Sequence, residues 1–179
     1  MRLSLSVFCS LALSAGVAWG QSMVADVTLT PMGSFKAKST DVKGEAVVSG
    51  DMVTAQNIVV GLKNLSTGIE LRDRHGRDKY LEVGKYPEIV LVKGQGKGGQ
   101  GSGLFRWRGV EKEISGTYEV KGSSVVAKFP VKLSDFKVEG INYKGVGVDD
   151  EMQVEVSVPA RKAASKAPAS VPARAPKKK

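Results

Sequence analysis

The sequence predicts an all-β domain of about eight antiparallel strands, stacked as a sandwich or closed as a barrel, with one short helical excursion. Three observations carry this reading. Apolar and polar residues alternate with period two through most of residues 23–158, as in strands with one wet face. Turn residues punctuate these runs at short intervals, which favours antiparallel neighbours over crossovers. A single segment, residues 69–76, breaks the period.

Met23, Ala25, Val27 and Leu29 alternate with Asp26 and Thr28 and predict the first strand. Residues 33–38, 44–50 and 52–62 supply the next three, separated by Pro31 and by Ser49-Gly50-Asp51. Thr67-Gly68-Ile69-Glu70 then reads as a capping box. Glu70 and Arg74, and Asp73 and Arg77, are acid-before-base pairs four apart. Together they predict a helical turn over 69–76, with Leu71 and His75 on one face and Tyr80-Leu81 packing as the chain returns. Pro87 blocks further helix and opens a strand over 88–93.

The glycine-rich residues 94–103 read as a hairpin loop. Residues 94–99 match G-x-G-x-x-G, but a strand pattern follows where a dinucleotide site needs a helix N-terminus. Phe105 and Trp107 alternate with Arg106 and Arg108, which places the aromatics inside and the arginines in water. Residues 113–121, 124–134 and 151–158 complete the set, the last two with Val125, Ala127, Phe129, Val131, Leu133 and Met152, Val154, Val156, Val158 on one side.

Both ends differ from this domain, taken as 21–159. Residues 1–20 read as a signal peptide: Arg2, an uncharged apolar run over 3–17, and Ala18-Trp19-Gly20 before a cleavage at Gln21. The expectation is export to the periplasm or beyond. Cys9 lies inside that apolar run, so the processed chain has no thiol and no disulfide framework. His75 is the only histidine, which excludes a multi-histidine metal site within one chain.

The net charge of +9 belongs to the tail: residues 161–179 carry seven basic and no acidic residues, whereas 21–159 hold 19 basic against 18 acidic. A nucleic-acid partner is therefore not indicated. Residues 160–179, rich in Ala, Pro and Lys, have too little apolar area to offset ordering entropy and read as a disordered basic tail. Such a tail suits an anionic cell-envelope surface. Asp149, Asp150 and Glu151 read as a solvated turn. No nucleophile–base pair or cofactor motif assembles, so the expectation is a non-enzymatic protein without cofactor or metal.

One stretch resembles a known family. Thr67-Gly68, Arg72-Asp73-Arg74-His75 and Glu82-Val83-Gly84-Lys85-Tyr86-Pro87-Glu88-Ile89 are similar to the signature region of the YceI-like proteins. Phe105-Arg106-Trp107-Arg108-Gly109-Val110, Ser134-Asp135-Phe136 and residues 145–151 are similar to three further motifs of that family. The family's opening strand region is poorly matched by residues 23–35, and Arg108 and Gly76 stand where the family has histidine and leucine.

The resemblance implies a lipocalin-like barrel that takes a long-chain apolar lipid, polyisoprenoid or fatty-acid-like. The lining would be Leu62, Ile89, Leu91, Phe105, Trp107, Tyr118, Phe129 and Val131. The excursion would cap the mouth through Ile69, Leu71, His75, Tyr80 and Leu81. The alternative is an envelope module with a filled barrel and a polyanion-binding tail.

Overall fold

The computed structural model describes residues 20–163, apart from 32 and 144. The expected signal peptide up to Trp19, Cys9 within it, and the basic tail beyond Ala163 lie outside the described residues.

The strands are β1 (Ser22–Thr30), β2 (Ser34–Ser39), β3 (Val42–Lys43), β4 (Ala46–Ser49), β5 (Met52–Gly61), β6 (Glu88–Lys97), β7 (Gln100–Trp107), β8 (Val110–Lys121), β9 (Ser124–Lys132), β10 (Asn142–Tyr143), β11 (Val146–Val148) and β12 (Glu151–Lys162). One helix, α1 (Glu70–His75), runs into a π-helical turn, Gly76–Tyr80, between β5 and β6. A 3-10 turn, Ser134–Phe136, follows β9.

Of the two architectures left open by the sequence, the chain adopts the barrel. β4 to β9 pair in antiparallel succession. β12 closes the ring, pairing antiparallel with β9 from Glu151↔Lys132 to Pro159↔Ser124 and in parallel with β4 from Ala160↔Ala46 to Lys162↔Val48. The result is a closed ring of seven strands. β1 lies on the β4 side of β12 and carries β2 on its outer edge, so the wall widens there by two staves. Closure of the ring removes its unpaired edges. The terminal pairing of β12 runs to Lys162, three residues past the expected domain end at Pro159.

Two tight turns show why the hairpins close where they do. Gly98 and Gly99 join β6 to β7 with φ of 60° and 85°, the double positive φ of a two-residue hairpin matched to strand twist. Arg108 and Gly109 join β7 to β8 with φ of 50° and 74°. Glycine reaches that region freely, but Arg108 enters it at a steric cost of about 1–2 kcal/mol.

Contacts offset that cost. The Arg108 side chain is 11% exposed, donates to Glu82 Oε2 at 2.6 Å and to the Leu81 carbonyl at 3.2 Å, and stacks 4.6 Å over Tyr86. The expected outward position holds for Arg106, which pairs with Glu111 at 2.7 Å. For Arg108 it does not, because the strand has already ended.

Two further expectations change. Residues 94–103 are not a loop: only Gly98-Gly99 turn, and Gly94, Gly96, Gly101 and Gly103 sit within paired strands. Thr67 does not cap the helix, whose N-cap is Ile69 without a side-chain bond.

Buried side chains form two clusters. Leu62, Val83, Trp107, Leu133, Phe136 and Val138 pack at the α1 end, with Trp107 and Phe136 ring centroids 5.7 Å apart. Met23, Val27, Ala37, Ala46, Val53, Ile58, Val125 and Val158 line the rest of the wall.

Candidate ligand cavity

Between these clusters the barrel encloses a cavity of about 600 Å³, within the range of small-molecule sites. Its walls follow from strand parity. Inward positions of β9 bring Val125, Ala127, Phe129 and Val131; those of β12 bring Met152, Val154, Val156 and Val158. Their register places Phe129 beside Val154 and Val131 beside Met152. β1 and β2 add Met23, Ala25, Val27, Phe35 and Ala37.

The opposite wall is built differently. Asn57, with φ of 52°, and a register shift between Leu91 and Lys93 change the inward parity of β5 and β6 midway. Beyond that point the inward positions of β6 and β7 are Gly94, Gly96, Gly101 and Gly103, joined by Gly116 of β8, with Gln95, Ser102 and Thr117 also bordering the cavity. Larger neighbours lie across them. A Cβ on Gly103 would fall 2.5 Å from Leu91 Cδ1, and one on Gly116 would fall 2.2 Å from the Lys128 carbonyl oxygen and 2.7 Å from Phe129 Cβ. Phe129 in turn meets Phe105 at 4.9 Å between ring centroids, tilted by 43°, a favourable aromatic geometry.

The segment after β5 crosses the end of the barrel. Its anchor is Asp73, a buried carboxylate that accepts hydrogen bonds from Ser66 Oγ at 2.8 Å, from the Thr67 amide at 2.7 Å and from Thr67 Oγ1. Burial raises its pKa, but the bonds from Thr67 and Ser66, with Arg77 nearby, outweigh it and hold Asp73 below the ordinary carboxylate range. Arg72 donates to Thr67 Oγ1 and to the Thr67 carbonyl, and its guanidinium lies 3.9 Å over the Phe35 ring of β2. At the far side the Tyr80 hydroxyl donates to the Asn142 carbonyl of β10. The segment is thus tied to β2 through Arg72 and to β10 through Tyr80.

All eight residues expected to line a barrel interior border this cavity: Leu62, Ile89, Leu91, Phe105, Trp107, Tyr118, Phe129 and Val131. They are not equivalent. Leu62 and Trp107 belong chiefly to the solid cluster under α1, whereas Leu91 and Tyr118 lie over glycines at the open wall. Ile69, Leu71, His75, Tyr80 and Leu81 also border the cavity, at its α1 end. Ile69 and Leu71 are exposed there, as is Val146 of β11. Sequence reasoning missed the glycine wall and the β12 and β1 lining as cavity features. The signal was the spacing of Gly94 and Gly96, and of Gly101 and Gly103, which is itself period two.

The sequence profile of the YceI-like domain matches residues 18–160. No curated protein matches the chain. Among solved structures, BcnA of Burkholderia cenocepacia is similar with a TM-score of 0.60 at 14% identity, over 78% of this chain and 96% of that one. A polyisoprenoid binding domain from Saccharophagus degradans, described as implicated in plant cell wall breakdown, gives 0.51 at 12% identity, over 76% of this chain and 91% of that one. A YCEI protein of Campylobacter jejuni gives 0.54 at 15% identity, over 72% and 85%. At these identities the structures show a shared fold. The profile reaches from β1 to the closing strand β12, and by that match the chain belongs to the YceI-like family.

Proposed function

We propose that this protein is an exported, non-catalytic binding protein that holds a long-chain apolar lipid, polyisoprenoid or fatty-acid-like, inside its barrel. The observation that carries the reading is the barrel cavity of about 600 Å³, walled by valine, alanine, phenylalanine and glycine from every stave of the ring. Each methylene buried there contributes about 0.8 kcal/mol, so an apolar chain gains affinity with few polar contacts. The polyisoprenoid binding description of a similar structure supports the same ligand class. The cavity also disfavours the filled-barrel alternative, which leaves no volume for a ligand.

Mass spectrometry of organic extracts from protein purified out of its native host tests the reading. A long-chain lipid at near-stoichiometric amount is expected. Protein that neither carries such a lipid nor takes one up from detergent-dispersed mixtures overturns it. The intact mass of the same material tests export, with Gln21 expected as first residue. Truncation after Ala163 separates the tail, because Arg161 and Lys162 still pair with β4. Lipid uptake is expected to survive that truncation, and association with anionic envelope material is expected to fall.

A further inference from the structure

The end of the cavity remote from α1 lies where β6 turns into β7 at Gly98-Gly99 and β4 turns into β5 at Gly50-Asp51. Most lining side chains near it are short: Ala46, Val53, Val125 and Val158. Tyr118 of β8 is the exception. Its amide donates to the Gly99 carbonyl at 2.8 Å, which fixes its backbone just below the hairpin tip. Its ring reaches inward against β6, and a Cβ on Gly96 would fall 2.4 Å from Cε1 and 2.8 Å from Cδ1. Its hydroxyl donates to the Asp51 carbonyl at 3.1 Å, in the turn before β5. The side chain therefore spans from β8, past the hairpin, to the β4–β5 turn. Glycine at 96 is what lets the ring lie there.

We infer that Tyr118, seated on Gly96, is the floor of the cavity and sets the longest apolar chain the barrel accepts. The inference rests on the lipid-binding reading and adds a specificity element to it. A chain that enters past Ile69 and Leu71 advances along the glycine wall until its end meets the phenol ring. Every methylene short of that point adds buried area; the next one must displace a packed ring and break its bond to Asp51.

The probes are a homologous series of straight-chain fatty acids, assayed by displacement of a fluorescent fatty acid. For the wild-type barrel, affinity is expected to rise with length to a cut-off and then fall. In Tyr118→Ala the cut-off is expected to move to longer chains. Two newly accommodated methylenes correspond to roughly a tenfold gain at the first length past the wild-type limit. Tyr118→Phe keeps the ring and is expected to keep the cut-off. Tyr118→Leu retains apolar packing should the alanine variant fold poorly, and it is expected to move the limit by a smaller step. A length profile in Tyr118→Ala and Tyr118→Leu that matches the wild type overturns the floor and leaves the lipid reading standing. Absence of wild-type binding to every fatty acid of the series overturns the floor, and absence of uptake from the detergent-dispersed lipid mixtures as well overturns the lipid reading.

Discussion

The two walls of this barrel solve opposite problems. Where β9 meets β12, each inward position carries a side chain, and the pair runs unbroken from Glu151↔Lys132 to Pro159↔Ser124. Where β6 meets β7, the inward positions past the register shift are glycines. The first wall supplies apolar contact area; the second lets side chains and strands pack directly against bare backbone. Interiors pack to crystal-like density wherever side chains can interdigitate. A void therefore needs staves held apart by closure. Leu91, Phe129 and Tyr118 occupy the space that side chains at Gly94, Gly96, Gly103 and Gly116 would need, and the cavity lies inside them.

The largest test of this contrast is to give the glycine wall a side chain. Gly116→Ala places Cβ against the Lys128 carbonyl and Phe129 Cβ, backbone and core that do not swing away. A loss of about 3 kcal/mol or more in chemical denaturation, or failure to fold, is expected. The mirror change on the other wall, Ala127→Gly, is expected to cost only about 1 kcal/mol. Equal costs would mean that the two walls are interchangeable.

Asp73 lies on neither wall and serves as the control for the mouth. Asp73→Ala leaves Ser66 Oγ and the Thr67 amide and hydroxyl without their acceptor and is expected to cost about 2–3 kcal/mol. The dependence on pH has a definite sign. The folded pKa is depressed, so the stabilisation is fully present above the unfolded carboxylate value, about 3.9. It is lost as pH falls through the lowered folded value. The gap between wild type and Asp73→Ala should therefore narrow in acid, as read by denaturant titrations at stepped pH. A gap that stays constant from neutral pH into that range would exclude ionised Asp73 as the source of the stabilisation.

Val154→Ala gives the smallest effect. It trims a side chain that already faces the cavity and is half-buried, so about 1 kcal/mol is expected, near the low end for core truncations. On the proposed function, lipid affinity should fall with it, because that methyl area faces the cavity. Stability lost without any change in affinity would place Val154 in solid packing.

Much of this was legible in the chain. The alternation in residues 124–134 and 151–158 marked the side-chain-bearing wall, and the segment around Asp73 stood out as the one break in period. The glycine wall was hidden because glycine carries two meanings. A run of Gly at positions 94, 96, 98, 99, 101 and 103 reads locally as a loop, and only the pairing partners of β6 and β7 show that four of the six lie in strands. Arg108 was hidden for a similar reason. Its place in the alternation pointed outward, and the backbone turn at φ of 50° redirected it toward Glu82 and Tyr86.

Strand positions and their apolar faces follow from local order along the chain, because neighbouring side chains on a pleat must point to opposite sides. Closure has no such local source. It depends on β12 finding β9 on one edge and β4, more than a hundred residues earlier, on the other. Whether the inward faces then meet or stand apart depends on how many staves intervene and on which of them lack side chains. Those quantities exist only when the ring is assembled, so the presence of a cavity is a property of the tertiary structure.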